Sequence, residues 1–293
     1  MKFLRLFTPA FTSIGVILIG LAAALLTPSR LFAGQLDFPP TADFKILNAD
    51  GTKVIGHTHF ALSSDEPGFQ LIYIESHYNN GEYEVERNLI ESRSAHQMPV
   101  MADYYHGFFN PGGVLTREVK ANFRTGKASC TELVDGLEQV YNETLDLPAD
   151  TYAGSALIIP LQNHLSANPT EPVQFHDLSC APGPKLFNVQ ATGTEMMRWD
   201  HYPGKTMEVE IKPAFGWIDV VIAPFIPKMR AWFNPADNWN FVGGEITRYY
   251  RGPEIIMARV PPSEASPAKP ATHPEVASVP TQPPAGNTSP TLR

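Results

Sequence analysis

Two histidines in the N-terminal part of the chain have a spacing that could bind a metal ion. His57 and His59 lie two residues apart, so in a strand their rings share one face. A third ligand would have to come from a neighbouring strand, and the face that the rings share is the polar one. We therefore expect solvated or hydrogen-bonded side chains here and no metal site.

Three glutamates alternate along one segment and could supply paired carboxylates for acid–base chemistry. Glu82, Glu84 and Glu86 point one way, while Tyr83 and Val85 point the other. A catalytic pair needs two carboxyl groups in contrasting environments. Three like charges on one strand face are more typical of a solvated edge that discourages aggregation of sheets. The sequence therefore predicts a wet edge rather than catalytic residues.

Two further polar residues could belong to a site. Ser155 lacks the second glycine of a nucleophile elbow and a placed Asp or His, so we expect a small helix residue. Asp219 interrupts the apolar run 217–222, and a lone carboxylate inside a sheet needs a partner. Arg230 on the next strand could provide it. We expect a structural ion pair between Asp219 and Arg230, with a surface-facing Asp219 or a catalytic acid as the alternatives.

Aromatic residues are concentrated near the end of the body of the chain. They are Trp217, Trp232, Phe233, Trp239, Phe241, Tyr249 and Tyr250. Such residues either fill the core of a rolled sheet or line an apolar groove for a ligand. The sequence leaves both interpretations open and names no ligand-binding residue.

The composition bounds the class of protein. The chain has 293 residues, of which 43% are hydrophobic and 18% are charged, so it can bury a sizeable core. The formal net charge is −8, and the acidity lies in residues 34–260. Nucleic acid is therefore not an expected partner, since phosphate binding needs a basic face.

The two ends differ from the body. Residues 1–33 combine Lys2 and Arg5 with a long uncharged apolar run and small residues before Gly34, which is typical of a secretory signal. Either the signal is cleaved after Ala33 and the body is periplasmic, or the helix is retained as an inner-membrane anchor. Residues 261–293 are rich in proline and have no aromatic residue, which predicts a disordered tail. That tail is either a solvated extension or a spacer that binds a partner.

The only two cysteines fall in the exported body. Cys130 and Cys180 are most simply a disulfide that closes a loop of about fifty residues and contributes ~4 kcal/mol. Two separate buried thiols are the alternative. Two cysteines without further ligands at the right spacing do not make a zinc site.

Alternating patterns and turn signals dominate residues 34–260. Apolar and polar residues alternate in 54–62, 82–93 and 206–212, and this period of two predicts strands. Further strands are expected at 69–78, 100–109, 114–124, 127–134, 172–179, 185–193, 216–222, 229–234, 240–250 and 254–260. One short helix is expected over 150–165, with Asp150 as its N-cap and Pro160 interrupting it. This order favours one mainly β domain, a curved antiparallel sheet that forms a spiral β-roll or half-barrel.

Several segments also occur in a recognisable order. They are Gly-Thr-Lys-Val-Ile-Gly at 51–56, Asn-Asn-Gly at 79–81, Gly-Val-Leu-Thr-Arg-Glu at 113–118, Leu-Pro-Ala-Asp-Thr-Tyr at 147–152 and Met-Arg-Ala-Trp-Phe-Asn at 229–234. Over residues 40–260 the chain thereby resembles a broad group of uncharacterised bacterial exported β-proteins, similar in outline to the outer-membrane lipoprotein carrier. The resemblance implies a β-roll or half-barrel and an exported protein without an assigned activity. The chain departs from the group at Asn234, where an acid is expected, so no role is carried over to that position.

These observations favour a non-enzymatic protein of the cell envelope. It would bind a lipid, a lipid-linked glycan or a partner on its curved sheet, and no cofactor is expected. One alternative is a hydrolase of envelope polymers whose carboxylates the sequence does not locate, and another is a structural scaffold. A continuous apolar cavity would favour the first function, two facing carboxyls in a polar cleft the second, and a filled core the third.

Overall fold

The computed structural model describes residues 39–64, 67–91, 98–134, 137–179, 183–196, 202, 204–214, 229–249 and 252–261. The predicted export segment 1–33 and the tail beyond residue 261 lie outside these ranges. The predicted strand 216–222 also lies outside them. Within the described ranges, no helix is both long enough and apolar enough to cross a membrane.

The described strands form a single sheet of fifteen. They are β1 (Thr41–Asn48), β2 (Val54–Ser63), β3 (Phe69–Tyr78), β4 (Tyr83–Glu91), β5 (Val100–Phe109), β6 (Leu115–Asn122), β7 (Lys127–Val134), β8 (Leu137–Thr144), β9 (Thr151–Tyr152), β10 (Val173–Asp177), β11 (Lys185–Met196), β12 (Lys205–Pro213), β13 (Met229–Asn234), β14 (Asn240–Thr247) and β15 (Glu254–Arg259). Their order across the sheet is β8-β7-β6-β5-β4-β3-β2-β1-β15-β14-β13-β12-β11-β10-β9. The short β9 pairs with β10 in parallel. The other neighbouring strands are antiparallel.

The first and last strands meet in the middle of this sheet. β1 pairs with β2 on one side and with β15 on the other, so it joins two wings made from the two halves of the chain. Among the described connections, short turns join β3 to β4 and β6 to β7. Gly81, in the turn between β3 and β4, has φ +87°, a conformation that favours glycine over residues with a side chain.

The sheet is curved, and its inner face forms the core. Along β3 alternate residues are buried, among them Ile72 and Ile74, as expected for a strand with one inward face. An α-helix, α1 (Ile158–Ala167), contributes Ile159, Leu161 and Leu165 to the same core. The expected class is therefore confirmed: a mainly β protein whose curved, largely antiparallel sheet forms a half-barrel with one short α-helix.

The helical region differs from the expectation for residues 150–165. Residues 151–152 form β9, a 3-10 helix follows at Gly154–Leu157, and α1 begins only at Ile158. Asp150 is therefore not the N-cap, which is Leu157 without a side-chain bond. Pro160 does not interrupt the helix, because it lies in the first turn, where a missing N–H breaks no intrahelical hydrogen bond.

Several strands have the bounds that the sequence predicts. The predicted bounds 69–78, 100–109, 127–134 and 229–234 agree with the structure. The patterns miss β1, β8 and β9. β8 is an edge strand whose residues 140–144 are exposed, so its sequence carries no alternation between a buried and a wet side.

Candidate functional site

The inner face of the half-barrel contains a cavity of about 690 Å³. Both wings of the sheet contribute apolar side chains to its wall, including Phe44, Phe60, Ile74, Ile211 and Phe241. Leu157 and Ile158, at the junction of the 3-10 helix and α1, also line it. Several polar side chains of the wall, on β4, β5 and just after β14, are joined by hydrogen bonds and ion pairs.

Arg248, just after β14, holds two carboxylates of β4. Its Nη1 donates a hydrogen bond to Glu82 Oε2 at 2.7 Å, and its Nε donates to Glu84 Oε1. The guanidinium also lies over the ring of Tyr78, 3.8 Å from the ring centroid. His106 Nε2, on β5, is 3.3 Å from the other oxygen of Glu84. Glu84 therefore lies between two basic side chains.

These contacts decide the charge state of the group. Burial alone would raise the pKa of Glu84, but the hydrogen bond and charge of His106, together with Arg248, lower it by more. Burial opposes the charge of Arg248, yet Glu84 holds the pKa of Arg248 above its usual range. Burial, followed by the charge of Glu84, raises the pKa of Tyr78. At neutral pH the wall thus carries a charged Glu84–Arg248 pair beside a neutral phenol.

Glu86, two residues further along β4, is held by uncharged donors. It accepts hydrogen bonds from Asn88 Nδ2 at 2.7 Å, from the backbone N–H of Ser155 at 2.7 Å and from Ser155 Oγ at 3.1 Å. Gly154 allows this approach, since it has φ +54° and a Cβ there would lie 2.8 Å from the Tyr104 hydroxyl and overlap the Glu86 carboxylate. The 3-10 helix is therefore attached to the sheet wall through Glu86.

Asp177, at the end of β10, faces the cavity beside this carboxylate. Burial, followed by the negative charge of Glu86, raises the pKa of Asp177 to about 7. Within the part of the chain that the structure describes, no hydrogen bond or ion pair reaches the Asp177 carboxyl. Burial and the charges of Glu86, Asp177 and Glu84 also raise the pKa of Tyr104, whose hydroxyl is 3.3 Å from His106 Nδ1.

A second arginine forms part of the wall near an aromatic pair. Arg117, on β6, makes an ion pair with Glu132 of β7, and its guanidinium lies 3.9 Å from the ring centroid of Tyr249. Phe108 and Tyr249 meet edge to face with centroids 5.6 Å apart. Both lining arginines therefore have carboxylate partners and lie against aromatic rings.

The prediction of a wet edge at the three glutamates is wrong. β4 is an interior strand, paired with β3 and β5, and the inward side is the one that carries Glu84 and Glu86. Each of these two residues is only 6% exposed, whereas Tyr83 and Val85 lie on the outer side. The predicted alternation is confirmed, but the glutamate side of β4 faces the interior and not the solvent. The sequence pattern cannot show this, because the partners that compensate the buried charges lie in other segments. Ser155 is a helix residue, as expected, and in addition binds Glu86.

The histidine pair lies on the outer face. His57 is exposed, and His59 Nδ1 is 2.7 Å from Asp43 Oδ1 of the neighbouring β1. No cluster of three metal-ligating side chains is present among the described residues.

The two predicted residue pairs each have one member outside the described ranges. Cys130, on β7, is disulfide-bonded, whereas Cys180 is not among the described residues, so their pairing stays a prediction. Asp219 also lies outside them, and its ion pair with Arg230 stays a prediction. Arg230 Nε itself is 3.9 Å from Glu208 and 3.8 Å from Glu245.

The aromatic residues divide between the two faces of the sheet. Phe241 and Tyr249 line the cavity, and Phe233 packs edge to face on Phe241 with centroids 5.8 Å apart. Trp232 belongs to a separate buried cluster with Val242 and Ile256. Part of the set therefore lines the cavity and part fills a buried cluster, while Trp217 and Tyr250 lie outside the described residues.

Sequence reasoning did not single out most of the polar residues of this wall. Tyr78, Tyr104, Asp177 and Arg248 each come from a different segment, and no short motif joins them. The one available signal was the period of two in β5, where Tyr104, His106 and Phe108 share a face. That pattern shows that these three side chains share a face of the strand, but it does not show which residues they contact.

The fold and the cavity define the class of protein, which is a half-barrel β-protein with a cavity on its inner face. No family model matches the sequence, and no curated protein matches it. A solved structure with a similar outline is titled as a beta-barrel-like protein of domain of unknown function DUF1849 from Brucella abortus. The two share 10% sequence identity over 75% of this chain and 94% of the other, with a TM-score of 0.42. A similarity at this level carries no argument about activity.

Proposed function

We propose that this protein binds an apolar or amphipathic ligand, such as a lipid or a lipid-linked glycan, inside its half-barrel without transforming it. The observation that carries this proposal is the cavity of about 690 Å³, which lies within the range of small-molecule sites. Its wall is mostly apolar and includes a few polar side chains, which suits a ligand with a long apolar part and one polar group. A scaffold protein would have no need of such a space.

A variant that fills the cavity tests this proposal. Met257, on β15, lines the cavity without being fully buried, so Met257→Trp should occupy space that a ligand would use. The matched control is Val140→Trp on the edge strand β8, where Val140 is 50% exposed. Both variants should keep a cooperative melting transition near that of the wild type.

The readout is the ligand that the full chain retains. The wild type and both variants are purified from a native host, and co-purifying molecules are identified by mass spectrometry of organic extracts. We expect the same apolar or amphipathic species in the wild type and Val140→Trp, and its loss from Met257→Trp. Retention of equal amounts by all three proteins would place the ligand elsewhere and contradict the proposal.

A hydrolase is the second candidate, favoured by one specific observation. Asp177, with its pKa raised to about 7, faces the cavity beside Glu86, and two carboxyls in contrasting environments suit general acid–base catalysis. Incubation of the protein with envelope glycans and lipids, followed by mass spectrometry, would reveal products. Products that appear with the wild type and not with Asp177→Asn would support this function.

We also propose that residues 1–33 export the body to the periplasm. The support is the order of basic, apolar and small residues described above. Mass spectrometry of the N-terminal peptide distinguishes the two forms, since a cleaved signal leaves Gly34 at the N-terminus. Recovery of Lys2 and Arg5 in a membrane-bound chain would indicate the anchored form instead.

A further inference from the structure

The cavity wall has an uneven balance of charge. Arg117 and Arg248 are the two arginines among the described lining residues, and each already makes an ion pair with a glutamate. Arg248 is shared by Glu82 and Glu84, so its charge is fully matched within the network. A ligand anion would have to compete with these carboxylates for either guanidinium.

Two other carboxyl groups of the wall make no ion pair with a residue that the structure describes. Glu86 accepts its hydrogen bonds from Asn88 and Ser155, which are uncharged. Asp177 accepts none from the residues that the structure describes. Lys185 is the cross-strand neighbour of Asp177 on β11, but it is exposed and does not line the cavity. Among the described residues, therefore, no cationic side chain makes an ion pair with Asp177 or Glu86, whereas His106 of the same wall lies against Glu84.

An unmatched carboxyl pair facing an apolar cavity favours a cationic ligand group. A primary ammonium offers three N–H donors and a positive charge, which suit one free carboxyl and a second one nearby. A phosphate or sulfate in the same place would meet two carboxyl groups in a region of low dielectric constant, where repulsion between like charges is strong.

We propose that the cavity selects amphipathic ligands whose polar group is a primary ammonium, held by Asp177 with Glu86 beside it. This inference rests on the proposed function, since it assigns the polar end of a ligand whose apolar part occupies the same cavity. The raised pKa of Asp177 agrees with it, because a cation is what the free site lacks to stabilise the charged carboxylate. The ammonium could belong to a simple long-chain amine or to a lipid headgroup.

The test compares probes with one chain length and different polar groups. Dodecylammonium, dodecanol and dodecyl phosphate are titrated into the full chain by calorimetry at pH 8, below the concentrations at which they aggregate. We expect dodecylammonium to bind at least about tenfold more tightly than dodecanol, and dodecyl phosphate to bind more weakly than either. Asp177→Asn should remove the preference for the amine while leaving the affinity for dodecanol unchanged.

The matched control is Asp146→Asn, since Asp146 is exposed and lies outside the cavity wall. It should leave all three affinities unchanged. Lysophosphatidylethanolamine identifies the source of the ammonium: affinity equal to that of dodecylammonium points to a lipid headgroup, whereas much weaker binding points to a simple amine.

Four results would overturn the inference, and they differ in what they leave standing. Equal affinity for the three head groups, or tightest binding of the phosphate, contradicts the ammonium site but leaves a ligand-binding cavity. An unchanged amine preference in Asp177→Asn does the same. Absence of binding by every probe, dodecanol included, contradicts both the ammonium site and the proposed function.

Discussion

The carboxylate of Glu86 accepts hydrogen bonds from both the backbone N–H and the hydroxyl of Ser155, 69 residues later in the chain. Glu86 lies on the inner face of an interior strand, and Ser155 lies in the 3-10 helix that leads into α1. These two bonds attach the helical segment to the sheet beside the cavity. The stability of the fold and the shape of the site are therefore coupled at this point.

Removal of the Ser155 hydroxyl should weaken that attachment. Ser155→Ala deletes the 3.1 Å bond to a buried carboxylate, and we expect the free energy of unfolding to fall by about 1.5–3 kcal/mol. Ser166→Ala is the control: the Ser166 hydroxyl donates to the Asn163 carbonyl near the end of α1, and its removal should cost less than about 1 kcal/mol. Urea unfolding of both variants measures the difference, and equal losses would contradict a special role for Ser155.

The ion pair of Glu84 and Arg248 should matter far more than an exposed pair. Arg248→Ala leaves Glu84 buried with one basic neighbour, so we expect a loss of about 3–5 kcal/mol. Lys120→Ala breaks a pair with Glu118 whose lysine is 54% exposed, and should cost less than about 1 kcal/mol. Adding Glu84→Gln to Arg248→Ala should recover part of the loss, since it removes the uncompensated charge. No recovery in chemical denaturation of the double variant would contradict this account.

Asp177 should make stability depend on pH in a defined window. Its pKa of about 7 in the folded protein exceeds the ordinary value of about 3.9, so between these values the folded state keeps a proton that the unfolded state has lost. The free energy of unfolding then falls as the pH rises, by about 3 kcal/mol between pH 5 and pH 8 from this group alone. Among the described residues, Glu86 and Tyr104 interact electrostatically with Asp177, and the exposed Lys185 is its cross-strand neighbour on β11.

The side-chain amide of the variant Asp177→Asn does not titrate, so this contribution to the pH dependence is absent. The stability of the variant minus that of the wild type should therefore increase by about 3 kcal/mol from pH 5 to pH 8. Urea unfolding of both proteins at the two pH values measures this change. Asp146→Asn, at an exposed site, should follow the wild type at both. Parallel pH profiles for Asp177→Asn and the wild type would show that the Asp177 carboxyl is not buried beside Glu86.

Gly154 should tolerate a side chain less well than another glycine with positive φ. Gly154→Ala combines backbone strain at φ +54° with a collision against Glu86 and the Tyr104 hydroxyl, whereas Gly113, at φ +77°, has open space around it. We expect Gly113→Ala to cost about 1 kcal/mol and Gly154→Ala about 1–3 kcal/mol more. Thermal and urea unfolding check this, and equal costs would mean that the 3-10 helix moves away without penalty.

The strands themselves could be predicted to a large extent from the sequence. The period of two in 54–62 and 206–212 reflects a local property, since neighbouring side chains of a strand point to opposite faces. The bounds of the helix were predicted less accurately. Asp150 could precede a helix or a strand, and Pro160 could interrupt a helix or lie in its first turn. β8 was missed because an exposed edge strand has no buried side to mark it.

The candidate site shows where local pattern stops being informative. Alternation separated Glu84 and Glu86 from Tyr83 and Val85, and that separation holds in the structure. It could not tell which face lies inside, because the cost of burying a carboxylate depends on partners elsewhere. Glu84 is compensated by Arg248, 164 residues away, and Glu86 by Ser155. The sequence alone thus determined most of the strands and the two faces of β4, whereas only the tertiary structure decided that the acidic face lines a cavity, since pairing across the half-barrel is what makes buried charge stable.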